Sequence, residues 1–367
     1  MNFKENAVIK TINEEENSFN ESDFQENPPS DVVAYNELRS CADIFRMYTS
    51  ETLDIQPDFQ REEVWKGPSK TRFIDSLIKQ LPIPSLCFSY DYENEEWQVI
   101  DGLQRITSII KFLDPLSDWT LSKLDDVDPR ISGVKAADFH VKGTALNKLK
   151  VRLENTSIPV TVLRCDPKKE NHANYLFMIF HRLNSGGMKL NNQEIRNCIF
   201  SGTLNNLIKE LDKDPTWVSV NEKTGNSVQS ERYRRVELIL RIFAFTDGIQ
   251  DYEGELSKFL NNYMRKNRTP NNQFIAEKIR TFNESLEIVD RCIVRGQYKF
   301  GAAALESLIV AINSNLDSLK TCDDQTISAK LLKFSNLSEL STKELSEGIM
   351  KKGKLTSRIQ SSIKCFS

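Results

Sequence analysis

The stretch Val99-Ile100-Asp101-Gly102-Leu103-Gln104-Arg105 determines how the N-terminal half of this sequence is interpreted. Residues 96–100 have the pattern of a strand, and apolar residues recur at helical spacing from Leu103 to Leu113. Gly102 permits the tight turn that must join them. We therefore predict a strand–turn–helix unit in which the helix N-terminus points its N–H groups at an anion, typically a phosphate.

The side chains of this turn are suited to phosphate chemistry. Arg105 supplies a bidentate cation, Gln104 can orient a water or a phosphate oxygen, and Asp101 is a candidate base or metal ligand. The alternative is an ordinary helix start, in which Asp101 caps the helix and Gln104 takes the reciprocal role. For so short a motif, spacing alone favours the ordinary helix start.

The segments on either side of this unit predict further strands and helices. Helical spacing indicates a helix over 68–80, and strands are expected at 85–90, 96–100 and 158–164. From residue 171 the sequence is helical almost to its end. The predicted helices there are 171–183, 192–200, 235–245, 257–265, 272–294, 302–319 and 342–352.

Three regions are expected along the chain. Residues 1–30 carry two lysines and seven carboxylates, so their like charge and low hydrophobicity predict a disordered acidic arm. Residues 31–168 predict a small α/β module, and residues 169–367 predict a mainly α-helical domain. The expected fold class is therefore α+β.

The composition excludes several classes of protein. The 367 residues carry 49 Lys and Arg against 52 Asp and Glu, a net charge of −3, which disfavours a protein that coats polyanions but allows a local basic groove. No apolar run approaches the roughly 20 residues that cross a bilayer, so we expect a cytoplasmic protein without a membrane partner.

The seven cysteines form no C-x-x-C pair, which predicts a reducing compartment, no disulfides and no cysteine zinc site. His181 is the last histidine, which excludes an HNH nuclease site in the C-terminal half.

A second candidate site precedes the helix at 68–80. Gln60 and Arg61 stand close to Trp65, whose ring could stack on a base or a guanidinium, and Lys70 follows. The alternative is that Trp65 belongs to the core and Arg61 pairs with a surface carboxylate.

A third candidate is the corner between two predicted helices. The turn that contains Asn184, Gly186 and Gly187 can present consecutive N–H groups as an anion nest. Asn191 and Glu194 then have the spacing of a capping box. An ordinary corner between two capped helices is an equally good explanation.

A fourth candidate is basic. The residues that suit contacts with DNA phosphates are Arg232, Arg234, Arg235, Arg265 and Lys266. Lysines and Arg358 also concentrate between Lys351 and Lys364. The alternative is that these residues lie on solvated helix faces.

The order of these motifs resembles the N-terminal domain of GmrSD-type restriction endonucleases, over roughly residues 35–265. The resemblance rests on Gln60-Arg61-x-x-Val64-Trp65, Lys70, Leu81-Pro82-Ile83-Pro84, Ile100 to Arg105, and Leu183-Asn184-Ser185-Gly186-Gly187 with Leu190, Glu194, Ile195 and Arg196. That family carries a ParB/sulfiredoxin-like α/β module with a D-G-Q-Q-R signature. Leu103 stands where the family usually has Gln, which removes one polar group near the implied phosphate site and weakens the case for hydrolysis more than for binding.

The resemblance implies a nucleoside triphosphate with Mg²⁺ as cofactor, with GTP, ATP and CTP left open. The implied catalytic residues are Asp101, Gln104 and Arg105. The implied nucleotide-binding residues are Gln60, Arg61, Lys70, Gly102, Asn184, Gly186, Gly187 and Glu194. The implied metal ligands are Asp101 and Glu194.

Three functions are compatible with these observations. The first is an NTP-binding and NTP-hydrolysing component of a modification-dependent restriction or anti-phage defence system, which senses or regulates DNA for a nuclease partner. The second is a non-enzymatic DNA-binding adaptor of such a system. The third is a metal-dependent nuclease within the ParB-like module. DNA and a partner nuclease are the expected partners, because complete members of the family add an HNH domain that the histidine positions exclude here; a homo-oligomer remains open.

Overall fold

The computed structural model describes residues 28–55, 65–183, 191–225, 233–294, 297–345 and 348–367. Contacts group these residues into two compact units, which lie within residues 26–189 and residues 190–367. We call them the sheet unit and the helical unit. The domain boundaries expected from the sequence, after residues 30 and 168, remain predictions.

The sheet unit contains five strands and five α-helices among its described residues. In chain order they are β1 (Val33–Ser40), α1 (Cys41–Thr49), β2 (Leu53–Asp54), α2 (Gly67–Ile78), β3 (Leu86–Asp91), β4 (Glu96–Asp101), α3 (Leu103–Leu113), α4 (Ala145–Glu154), β5 (Ser157–Cys165) and α5 (Glu170–Leu183). A short 3₁₀ helix, Ala136–His140, precedes α4.

The strands form one mixed sheet in the order β1-β5-β3-β4-β2. The β1–β5 and β3–β4 pairs are antiparallel, and the β5–β3 and β4–β2 pairs are parallel. Alternate residues of β5, namely Ile158, Val160 and Val162, are buried in one core with residues of α1, α2 and α3. This packing fixes the end of β4 and the start of α3 against the rest of the unit.

The local sequence explains why α2 and α3 form where they were predicted. Pro68 lies in the first turn of α2, where its missing N–H costs nothing. Helical spacing then buries Phe73, Ile74, Leu77 and Ile78 on one face. Helix α3 begins and ends at the residues expected from its apolar stripe.

The helical unit contains the rest of the described chain. Its helices are α6 (Asn192–Ile199), α7 (Thr203–Leu211), α8 (Pro215–Thr224), α9 (Arg234–Gly248), α10 (Leu256–Lys266), α11 (Asn272–Cys292), α12 (Ala302–Ser314), α13 (Leu316–Leu319), α14 (Asp324–Ser335) and α15 (Lys352–Phe366). The predicted fold class, an α/β module followed by a mainly helical region, is confirmed.

Two of the predicted helices were wrong in detail. The single helix expected over 302–319 is interrupted at Asn315, which ends α12. The helix expected over 342–352 is replaced, in the described part of that range, by turns that include Gly348 at φ 59°. The helix lies further on, as α15, because its apolar residues Leu355, Ile359 and Phe366 form the stripe that packs into the unit.

A network of buried charges joins four helices of the helical unit. Glu237 of α9 accepts hydrogen bonds from Arg196 of α6 at 2.9 Å and from Arg241 at 2.5 Å. Glu306 of α12 lies 3.7 Å from Nη1 of Arg241 and accepts a hydrogen bond from Arg358 of α15 at 2.7 Å. These five side chains are buried, so the pairing itself supplies the partners that water would otherwise provide.

No helix within the described ranges has the length and apolar character needed to cross a membrane.

Candidate functional site

The turn between β4 and α3 depends on the glycine at its centre. Gly102 is the N-cap residue of α3 and has φ 98°, in the left-handed region that favours glycine. A Cβ atom at this position would lie 2.2 Å from Cδ2 of the buried Leu86. Gly102 therefore meets both a conformational and a steric requirement, as the sequence analysis expected of a tight turn.

Arg105 holds this turn together. Its Nη2 donates to Oδ2 of Asp101 at 2.7 Å, and its Nη1 donates to the carbonyl oxygens of Pro84 and Ser85. The Arg105 side chain is only 12% exposed. The guanidinium thus links the end of β4 to the segment that leads into β3, with its charge held beside the start of α3.

Gln104 connects the turn to the segment before α2. Its Oε1 accepts a hydrogen bond from the backbone N–H of Trp65 at 3.3 Å. The capping arrangement considered for an ordinary helix start is wrong, because Gly102 and not Asp101 is the N-cap and no side chain caps the helix. Since Oε1 accepts from Trp65, the amide nitrogen Nε2 is the Gln104 atom that can donate to another group.

A cavity of about 430 Å³ adjoins this turn, between helices α1 and α3. Its lining includes the aromatic residues Phe45 and Tyr48 of α1. From α3 it includes Leu103, Gln104 and Thr107, and further along the helix Lys111. The volume lies in the range of roughly 300–1,000 Å³ that small-molecule sites occupy.

Trp65 and Lys70 are part of the sheet unit's packing. Trp65 is partly buried against the core, and its ring lies edge-on to Phe73 at 5.6 Å between centroids. This position favours the alternative in which Trp65 is a packing residue. Lys70 of α2 is 3% exposed, and this burial lowers the pKa of its ammonium.

Several predicted site residues lie outside the described part of the chain. They are Gln60, Arg61, Asn184, Gly186, Gly187 and Arg232. Their assignments to nucleotide or DNA binding remain predictions.

Glu194 lies in the helical unit and has a clear local role. The backbone N–H of Asn191 donates to Oε2 of Glu194 at 2.7 Å, and the N–H of Glu194 donates to Oδ1 of Asn191 at 2.8 Å. This reciprocal pair is the capping box expected from the spacing, and it starts α6.

The carboxylates proposed as metal ligands fit a protein-bound metal poorly. Asp101 accepts a hydrogen bond from the guanidinium of Arg105. Glu194 accepts one from the backbone N–H of Asn191 in its capping box. Among the residues that the structure describes, no group of three or more His, Cys, Asp or Glu side chains could hold a metal ion. We therefore derive no chemical step from a metal held by these residues.

The predicted DNA-contacting residues differ in whether their side chains are paired with a carboxylate and in how exposed they are. Arg235 forms a two-point contact with the carboxylate of Asp212, at 2.8 and 3.1 Å. Arg234 and Arg265 are half-buried, whereas Lys266 at the end of α10 is exposed. In the C-terminal basic segment, Lys352, Lys354 and Arg358 form ion pairs with Glu253, Glu344 and Glu306.

The sequence analysis did not single out the two aromatic residues of the cavity wall. Phe45 and Tyr48 stand three residues apart, so they share one face of α1. This spacing was readable in the sequence, but a pair of aromatic residues on a helix usually indicates core packing. Only the position of α1 beside α3 shows that they face a cavity.

The fold and the turn define a class of domain: a mixed five-stranded sheet whose fourth strand passes through a left-handed glycine into a helix with Gln and Arg in its first turn. Residues 41–201 match the family model described as the N-terminal domain of GmrSD restriction endonucleases. The resemblance is confirmed, and this part of the chain is a domain of that family, which relates the chain to components of restriction and defence systems. No curated protein matches the chain.

Proposed function

We propose that the domain at residues 41–201 binds a nucleoside triphosphate and acts as the nucleotide-dependent component of a restriction or anti-phage defence system. The observation that carries the proposal is the Gly102 turn, where α3 begins without a side-chain cap beside a cavity lined by Gln104. The first-turn N–H groups of a helix have no partner within the helix, and they attract an anion. A triphosphate supplies that anion.

Each residue of the turn has a defined part in this proposal. Gly102 permits the left-handed turn that leads from β4 directly into the first N–H groups of α3. Arg105 fixes the turn, since Asp101 and two carbonyl groups hold its guanidinium, and it thereby keeps the first N–H groups of α3 in position for the phosphates. Gln104 orients a water or a phosphate oxygen through Nε2. Positioning and charge neutralisation of this kind supply most of the catalysis in phosphoryl transfer.

The nucleotide would come with Mg²⁺ bound to its own phosphates, as is usual for such ligands. The carboxylates of Asp101 and Glu194 are engaged elsewhere, so we assign no step to a metal that they hold.

We further propose that the chain acts on DNA through a nuclease partner. The alternative of a DNA-binding adaptor without nucleotide is less well supported by the geometry. Arg235 is paired with Asp212, and three basic residues of the C-terminal segment are paired with glutamates. The nucleotide-binding role is therefore the one that the described residues favour.

Titration calorimetry and phosphate release with GTP, ATP or CTP and Mg²⁺ test the proposal. We expect the wild-type chain to bind at least one of these nucleotides. If the chain hydrolyses it, Gln104→Leu should slow phosphate release about a hundredfold, the lower end of what the loss of one positioned hydrogen-bond donor costs. Gln273→Leu, at an exposed glutamine of α11, is the matched control and should change nothing. Absence of binding with every nucleotide would rule the proposal out.

A further inference from the structure

The cavity between α1 and α3 has two kinds of wall. Phe45 and Tyr48 contribute aromatic rings, and Leu103 contributes an apolar side chain. Gln104, Thr107 and Lys111 contribute polar groups along one face of α3. This combination suits a flat ring with polar atoms at its edge, because aromatic side chains stack on such rings and a few polar groups then fix their orientation.

The polar groups of the lining include hydrogen-bond acceptors. Thr107 Oγ1 donates its hydrogen to the carbonyl oxygen of Gln104, so its lone pairs are the part that can face a ligand. Asp114 contributes a carboxylate. A nucleobase carries N–H groups that donate to such acceptors, and all nucleobases have faces on which an aromatic ring can stack.

The cavity and the glycine turn share residues. Leu103 and Gln104 line the cavity and also form the first turn of α3, whose N–H groups are the proposed phosphate site. One ligand can therefore place an anionic group at the turn and a flat ring in the cavity. The departure of Leu103 from the family's usual Gln has a consequence here, because it gives the cavity an apolar wall at this end.

We infer that the cavity is the subsite for the base of the nucleotide, with Phe45, Tyr48 and Leu103 against the ring and Thr107 and Asp114 at its edge. This inference rests on the proposed function, since it assigns a place to one part of the proposed ligand. It adds a claim that the turn alone does not make: binding depends on the base as well as on the phosphates.

The test compares nucleotides with a ligand that has no base. Calorimetry is carried out with GTP, ATP, CTP, UTP and inorganic tripolyphosphate, each with Mg²⁺, on the full chain. Thr107→Trp fills the cavity from α3, and Tyr48→Leu removes one aromatic wall without adding volume. Ser76→Trp is the matched control, because Ser76 is a half-buried helix residue of the same unit whose hydroxyl, like that of Thr107, donates to a backbone carbonyl of its own helix.

We expect Thr107→Trp to weaken binding of the preferred nucleotide at least about tenfold, equivalent to about 1.4 kcal/mol. Tripolyphosphate should bind Thr107→Trp as it binds wild type, and Ser76→Trp should bind both ligands normally. Tyr48→Leu should weaken nucleotide binding in the same direction, and circular dichroism should show that each variant is folded.

The outcomes separate the two claims. Wild-type chain that binds none of the nucleotides contradicts the proposed function and, with it, the base subsite. Wild-type chain that binds a nucleotide, with folded Thr107→Trp and Tyr48→Leu chains of unchanged affinity, overturns the base subsite and leaves the proposed function standing. Equal weakening of nucleotide and tripolyphosphate also overturns the subsite, because the variants would then act through the turn.

Discussion

Nη2 of Arg105 lies 2.7 Å from Oδ2 of Asp101, so the two charged residues of the turn are partners of one another. They stand four residues apart on either side of Gly102 and hold the end of β4 against the first turn of α3. The sequence analysis assigned both to direct contact with a ligand or a metal. Their pairing means that the turn is fixed before any ligand arrives, which lowers the entropic cost of binding.

Replacing Gly102 by Ala should destabilise the sheet unit by about 2–5 kcal/mol. The left-handed backbone costs a residue with a Cβ roughly 1–2 kcal/mol. Overpacking against Leu86 adds roughly 1–3 kcal/mol. Hydrogen exchange of peptides from β3 and α3, followed by mass spectrometry, measures the loss as a local opening free energy.

Gly143→Ala is the matched control for this prediction. Gly143 has φ 83°, but a Cβ there would meet nothing within 4 Å. Gly143→Ala should therefore lose only the stability that a left-handed backbone costs a residue with a Cβ, roughly 1–2 kcal/mol. Equal losses in the two variants would show that the approach of Leu86 to Gly102 contributes nothing.

Replacing Arg105 by Lys should loosen the turn although the charge is kept. Lysine has no planar group that reaches Asp101 and the two carbonyl oxygens together, so we expect a loss of about 1–2 kcal/mol in hydrogen exchange at residues 101–105. Arg46→Lys serves as control, since Arg46 is 69% exposed and lies 3.4 Å from Asp43. A stable Arg105→Lys turn would show that the charge alone is sufficient.

The sequence predicted the parts of the site that are local and missed those that depend on packing. The strand–turn–helix around Gly102 was predictable because a glycine between a strand pattern and a helical stripe has few other conformations. The pairing of Arg105 with Asp101 was missed because spacing alone does not reveal whether a charged residue faces a ligand or its own turn. Strand β1 was missed because it lies at the edge of the sheet and is largely exposed, so its residues carry no buried pattern.

The same reasoning explains the helical unit. The helix Asn272–Cys292, predicted over 272–294, was found from the sequence because its apolar stripe is long and regular. Arg196 was quoted only as the end of a motif, and Glu237 and Arg241 were assigned no buried role. Their burial follows from the packing of α6 against α9, which no pattern within a single helix can indicate.

Glu237 should make the helical unit sensitive to acid. Burial alone would raise the pKa of this carboxyl, but the charges of Arg241 and Arg196 lower it below its ordinary value of 4.5. Because the folded-state pKa is lowered, the stabilisation is complete above about pH 4.5 and is lost as the pH falls through the folded-state value. Hydrogen exchange of α9 at a series of pH values measures this loss.

A variant pair checks the cause. At neutral pH, Glu237→Gln should cost about 3–5 kcal/mol, because it removes the buried negative charge that both Arg196 and Arg241 contact. The difference from wild type should shrink in acid. Glu253→Gln removes an exposed partner of Lys352 and should change stability by less than about 1 kcal/mol. A constant difference at all pH values would show that ionisation of Glu237 is not the source.

Substitutions of the predicted DNA-contacting residues should differ in their effect on the salt dependence of DNA affinity. Lys266 is exposed, so Lys266→Ala should weaken binding and reduce the slope of log affinity against log salt by about 0.9, the effect of one lost phosphate contact. Arg235 is held by Asp212, so Arg235→Ala should instead lower the stability of the helical unit by about 1–3 kcal/mol and leave the salt slope unchanged. Lys299→Ala, at an exposed lysine outside the predicted set, controls for the loss of one positive charge. If the salt slopes of the Lys266 and Lys299 variants are the same, Lys266 does not contact a DNA phosphate. A reduced salt slope for Arg235→Ala would show that Arg235 leaves Asp212 when DNA binds.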